Sequence, residues 1–131
     1  MTEEKQTKIL LVDDDKFLLD MYVLKFKKAN LSIDSFSSTT QALEKIKSGE
    51  VYDILLLDVI MPTMDGIQLL EAIRAEKLLP DALVVMLTNS PDEFGRAKNL
   101  GIDGYIVKAT SIPSEVVDKV MTLYKNKHKK S

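Results

Sequence analysis

Residues 52–66 read YDILLLDVIMPTMDG, and the fold follows from how that stretch is built. Four consecutive apolar residues, Ile54 to Leu57, run into a single carboxylate, Asp58, and a turn signal with Pro62 and Asp65-Gly66 comes next. An apolar run of strand length bounded by turn chemistry predicts a strand covered on both faces, as in parallel sheets. A carboxylate at the end of such a run must leave the hydrocarbon, because burying it alone is prohibitively costly. Asp58 is therefore expected at the carboxyl edge of a central strand, where open α/β sheets place their sites.

The rest of the chain repeats the pattern. Lys8–Val12 is a second short apolar run and ends in Asp13, Asp14 and Asp15. From Lys16 to Ala29 the spacing turns helical, with Leu18, Tyr22, Lys25 and Ala29 on one face and Met21 and Phe26 beside it. Leu31–Phe36 is a shorter, more polar strand suited to an edge. Ser38 and Gln41 have capping-box spacing for a helix to about Lys47, and Asp65 and Gln68 repeat it for a helix to about Glu76. Leu83–Leu87 is another apolar run, ending at Thr88. Ser90, Pro91 and Glu93 open a short helix that stops near Gly101. Tyr105–Val107 ends at Lys108, and Pro113 opens a last helix that buries Val116, Val117, Val120, Leu123 and Tyr124. The basic tail from Lys125 is expected to fray.

Strand followed by helix, five times over, gives a parallel sheet wrapped by helices with right-handed crossovers. At 131 residues the chain is expected to be one domain, residues 1–131, with its core at about 8–125. Four strands end in polar groups: Asp13 and Asp14, Asp58, Thr88 and Lys108. In a parallel sheet those ends share one edge.

Composition narrows the chemistry. Apolar residues make up 45% and charged residues 29%, and the formal net charge is −2, too small to argue for nucleic acid or an anionic membrane. The absence of cysteine excludes disulfides and thiolate metal sites. The start, MTEEKQTKIL, lacks the order of a secretion signal and no apolar run nears spanning length, so a cytoplasmic location is expected. Crowded carboxylates repel unless a cation is present, and a hard ion such as Mg²⁺ suits a small oxygen-ligand site. Asp58 then has two possible roles, ligand or nucleophile. With Lys108 as a positive charge and Thr88 as a hydroxyl, the set has the parts for handling a phosphoryl group.

LLVDDD, LLLDVIMPTMDG, VVMLTNS and GYIVKA together resemble the receiver domain of bacterial two-component response regulators, over roughly Lys8 to Lys125. The resemblance implies a flavodoxin-like fold with strand order 2-1-3-4-5. It implies that Asp58 accepts phosphate from a histidine kinase or phosphotransfer protein. Asp14 and Asp58 would bind Mg²⁺ directly with the backbone carbonyl of Ile60, and Asp13 largely through water. Lys108 would contact the phosphoryl group, Thr88 would move toward it, and Tyr105 would repack as the readout. Asp15 and Asp65 are expected to be helix caps, and His128 a solvated residue. The implied protein is a stand-alone regulator that switches binding of a downstream protein, without direct nucleic-acid or membrane contact, as a monomer or a weak phosphorylation-dependent dimer. The alternatives are a receiver-shaped scaffold that takes no phosphate and a metal-dependent phosphatase. The phosphatase would want an acid two residues past the nucleophile, where this chain has Ile60.

Three positions depart from the family pattern. Ala109 stands where proline usually follows the lysine through a cis bond. Because a cis bond to a non-proline residue costs roughly 3 kcal/mol, a trans peptide and a shifted loop are expected. Asn89 replaces a small residue beside the pocket. Ile60 is apolar where polar side chains help to orient water, and is expected to slow phosphate loss. In the first helix, Phe17, Leu19, Val23 and Leu24 are expected to point partly outward, with Phe17 and Leu19 as contact candidates for the kinase.

Overall fold

In the computed structural model, residues 6–61, 64–89 and 94–129 are described. Pro62 and the proposed cap Ser90–Pro91–Glu93 lie outside them. The elements are β1 (Lys8–Val12), α1 (Lys16–Lys28), β2 (Ser32–Phe36), α2 (Thr39–Lys47), β3 (Ile54–Asp58), α3 (Gly66–Ala75), β4 (Leu83–Thr88), α4 (Phe94–Lys98), β5 (Gly104–Val107) and α5 (Pro113–Lys129). All strand pairs are parallel, as the alternation of strand and helix predicts, and the order is β2-β1-β3-β4-β5, as the resemblance implies.

The alternation of side chains along each strand divides the core into two layers. Leu10, Val12, Leu55, Leu57, Val84 and Met86 meet Ala42 and Ile46 of α2, Leu69, Leu70 and Ile73 of α3, and Ala97 of α4. Ile9, Leu11, Ile54, Leu56, Val85 and Leu87 meet Leu19, Tyr22 and Phe26 of α1 and Val116, Val117 and Val120 of α5. Every residue of β3 is buried, which is why its sequence is unbroken hydrocarbon until Asp58.

Helix starts follow the capping residues. Asp15 accepts from the amides of Phe17 and Leu18, and Ser38 from that of Gln41. Asp65 and Gln68 form the reciprocal box. Asn30, just past α1, takes the left-handed conformation (φ 67°) that asparagine tolerates better than most residues.

Two expectations are corrected. The inward face of α1 is Leu19, Tyr22 and Phe26, one position away from the predicted Leu18–Tyr22–Lys25–Ala29 row; Ala29 is exposed. Leu19 therefore does not point outward: it is 8% exposed, packed in the layer with α5. The helix buries the row that α5 can cover, and so many α1 positions are apolar that periodicity alone does not choose. The tail does not fray at Lys125 either. α5 runs to Lys129, and the Lys127 ammonium donates to the carbonyl of Ala82 and pairs with Asp103 at 3.4 Å.

Candidate functional site

All the polar strand ends meet at the carboxyl edge. Asp58 closes β3, Thr88 closes β4, Asp13 follows β1 and Lys108 follows β5. Register holds them level: Val12 pairs with Leu57, Asp58 with Leu87, and Thr88 with Val107. Asp13, Asp58 and Thr88 are all buried.

Oxygen atoms of Asp13, Asp14 and Asp58 lie within 4.8 Å of one another. Lys108 bridges the two buried acids, its Nζ 3.1 Å from Asp13 Oδ2 and 3.3 Å from Asp58 Oδ2. Its peptide bond to Ala109 is trans, as expected, and the chain leaves β5 through a single 3₁₀ turn over Lys108–Thr110. The expected loop shift does not take the amine out of the site.

The electrostatics follow from this crowding. Burial, reinforced by the charges of Asp13 and Asp14, pushes the Asp58 carboxyl up to about 7 even though Lys108 pulls the other way. Burial also works against the Lys108 ammonium, but the Asp58 and Asp13 carboxylates outweigh it and hold that group above the usual lysine range. Among the described residues one cation, Lys108, thus faces three acids.

The donor set fits a hard divalent cation. Three carboxylates converge on one point, and Asp13 Oδ2 is buried without a hydrogen bond: the nearby ammonium lies within ion-pair distance but is not aligned with it. A buried carboxylate oxygen without a hydrogen bond, beside two other acids, is what an oxygen-seeking ion satisfies. A groove of about 410 Å³ at the opposite, amino edge is lined by Val51, Tyr52, Asp53, Leu79, Pro80, Asp81 and Ala82; it has two acids, and among the described residues three converge only at Asp13, Asp14 and Asp58.

The family model described as the response regulator receiver domain matches residues 9–120. The chain belongs to the response regulator receiver domain family. It is 36% identical over 125 residues to the transcriptional regulatory protein ResD of Bacillus subtilis, covering 94% of this chain and 50% of that protein. It is 35% identical over 117 residues to the regulatory protein VanRc of Enterococcus gallinarum, covering 88% and 48%. The receiver domain thus spans about half the length of these curated relatives. Among solved structures, it resembles a CheY-like receiver domain protein from Methanospirillum hungatei (28% identity, TM-score 0.85, 97% of this chain and 100% of that one). It also resembles the chemotaxis protein CheY4 of Vibrio cholerae (25% identity, TM-score 0.82, 91% and 99%). Receiver domains are signalling domains that bind Mg²⁺ at an acidic pocket and interact with histidine kinases and phosphotransfer proteins.

The remaining residues singled out in the sequence fall around this receiver site. Tyr105, half-buried in β5, packs against the α2–α3–α4 layer. Ile60 is 57% exposed on the loop past Asp58, and Phe17 is 73% exposed in the first turn of α1. Asn89 is exposed beyond Thr88. Asp15 and Asp65 are caps, and Asp65 also pairs with Arg96 at 3.3 Å.

Two contributors were not legible as site residues. A Cβ on Gly66 would lie 2.0 Å from the Asp58 carbonyl oxygen, so glycine is required there by close approach of α3 to β3. Tyr22, read only as an inward-facing residue, has its hydroxyl ionisation pushed up, first by burial and then by the charge of Asp13. Among the described residues no helix is long and apolar enough to cross a membrane.

Proposed function

We propose that this receiver domain accepts a phosphoryl group on Asp58 from the phosphohistidine of a kinase or phosphotransfer protein, and that the modified form binds a downstream partner differently. The observation that carries the reading is the bridge from Lys108 to Asp13 and Asp58, with Asp14 alongside. In the reaction an Asp58 Oδ attacks phosphorus as the P–N bond to the donor imidazole breaks, leaving an acyl phosphate and the departing histidine. Lys108 is already within contact distance of an Asp58 oxygen and neutralises the phosphoryl oxygens that arrive there. The Thr88 hydroxyl, at the adjacent strand end, donates to a phosphoryl oxygen. That movement vacates space beside β5 and lets Tyr105 repack.

Asp13, Asp14, Asp58 and the Ile60 carbonyl are the groups that would hold Mg²⁺, and the bound ion would supply charge neutralisation between donor and acceptor oxygens. The domain acts in the cytoplasm as the receiving half of a two-component pair, without direct nucleic-acid contact. Incubation with Mg²⁺ and acetyl phosphate tests this. Intact mass should rise by one phosphoryl group in wild type and not in Asp58→Asn. An unmodified wild type would establish a receiver-shaped scaffold, and steady release of phosphate over many turnovers would establish a phosphatase.

A further inference from the structure

Thr39 opens α2 and is 2% exposed. The helix is capped by the Ser38 hydroxyl, which accepts from the Gln41 amide, so the Thr39 hydroxyl is left for another use. It donates across the fold to the carbonyl of Met64 at 2.6 Å. Met64 lies between β3 and α3, on the segment that follows Asp58 and carries Ile60. The amide of the same peptide unit belongs to Asp65 and donates to Gln68 Oε1 at 2.9 Å. Both polar groups of the Met64–Asp65 peptide are thus held by side chains, one from α2 and one from α3, which fixes its plane. Nearer the site, the Val59 amide donates to the Leu87 carbonyl at 3.1 Å, and the Gly66 amide donates to the Val59 carbonyl at 3.0 Å. Ile60 therefore sits in a loop closed at its base by main-chain bonds and anchored at its far end through Thr39.

We propose that Thr39 is a positioning residue for the acid site: by holding the Met64 carbonyl, it keeps the β3–α3 loop in the conformation from which the Ile60 carbonyl serves the Mg²⁺-binding set. This rests on the functional reading above, because that carbonyl is counted there with Asp13, Asp14 and Asp58. Surface loops open at little free-energy cost, and one hydrogen bond is worth about a 2–10-fold change in an equilibrium constant. Loss of the Thr39 bond leaves part of the population with the loop out of place. Apparent Mg²⁺ affinity then falls with the competent fraction.

Thr39→Val keeps nearly the same side-chain shape and removes the donor, and Thr39→Ser restores it. In metal-free protein the Asp65 amide should exchange with solvent about 2–10-fold faster in Thr39→Val than in wild type. Calorimetric titration should show Mg²⁺ affinity weakened by about the same 2–10-fold, with Thr39→Ser close to wild type in both measurements. Modification by acetyl phosphate should be slowed in Thr39→Val at low Mg²⁺ and reach the wild-type rate at saturating Mg²⁺, a split that a general loss of stability would not produce. If Thr39→Val does not fold, Gln68→Ala carries the test, because it frees the same peptide from its amide side at an exposed position and should also weaken Mg²⁺ binding. Wild-type Mg²⁺ affinity in the folded variant, or an unchanged Asp65 exchange rate in Thr39→Val, would overturn the proposal. A wild type that binds no Mg²⁺ would remove the functional reading and this role with it. A wild type that binds Mg²⁺ no better than Thr39→Val would remove this role alone.

Discussion

Gly66 rests against the main chain of Asp58, with its amide donating to the Val59 carbonyl at 3.0 Å and no room for a Cβ. The start of α3 is thereby fixed to the end of β3, and the position of Asp58, the proposed phosphoacceptor, is tied to a helix cap. Since the obstructing atoms are backbone, relief requires moving α3 or Asp58 itself. Gly66→Ala should cost about 3 kcal/mol in urea unfolding and slow modification by acetyl phosphate more than Gly49→Ala does. Position 49 has open space around it but a φ of 102°, so Gly49→Ala strains the backbone without touching the site. Equal phosphorylation rates for the two variants would mean that the contact does not position Asp58.

The acid cluster makes stability depend on pH in a definite direction. Asp58 titrates near 7 in the folded protein against an ordinary value of 3.8, so between those values the native state binds a proton that the unfolded chain has lost. Metal-free stability should therefore fall as pH rises from about 4 to 7, by on the order of 3 kcal/mol in total. Lys108, held above 10.5, is protonated in both states over that window and adds no slope. Asp58→Asn should flatten the profile and be more stable than wild type at pH 8, and Mg²⁺ should raise the wild-type melting temperature there. Asp14→Asn should likewise stabilise the metal-free form. A wild-type curve that is flat between pH 4 and 7 would show that the carboxylates do not repel.

Much of this was legible in the residues, and the failures have physical causes. Strands were readable because β1, β3 and β4 are covered on both faces, so they are unbroken apolar runs that stop abruptly at Asp13, Asp58 and Thr88. The site was readable because parallel strands bring their carboxyl ends to one edge, whatever lies between them. The face of α1 was not. Phe17, Leu18, Leu19, Met21, Tyr22, Val23, Leu24 and Phe26 nearly encircle the helix, and packing against α5, rather than periodicity, selects the row. The contact of Gly66 with Asp58 is a tertiary relation that no local spacing encodes. The lysines of the tail suggested solvation, but Lys127 finds Asp103 and the Ala82 carbonyl.

The corrected register of α1 separates two residues that the sequence alone treats alike. Leu19 is enclosed with Ile9, Leu11 and the α5 valines, so Leu19→Ala should cost about 2–4 kcal/mol in chemical denaturation. Phe17 is 73% exposed, and Phe17→Ala should stay within about 0.5 kcal/mol of wild type. Only Phe17 is therefore a clean probe of docking. Phe17→Ala should slow transfer from the cognate kinase and leave modification by acetyl phosphate unchanged, because the small donor needs no protein surface. An unchanged kinase rate would remove Phe17 from the contact surface.

Ile60 lies two residues past Asp58, the proposed phosphoacceptor, and stands 57% exposed. Hydrolysis requires a water placed in line with the Asp58 O–P bond, and a hydrocarbon side chain offers that water no hydrogen bond. An amide at the same position supplies both a donor and an acceptor. Ile60→Asn should shorten the lifetime of phosphorylated Asp58 several-fold, measured by loss of the phosphoryl mass after removal of acetyl phosphate. The exposed position makes the change nearly neutral for stability, within about 0.5 kcal/mol, so an altered lifetime would not reflect unfolding. Ile60→Leu keeps the site apolar and should retain the wild-type lifetime. Equal lifetimes for the asparagine variant and wild type would mean that water reaches phosphorus by a route the side chain at position 60 does not influence.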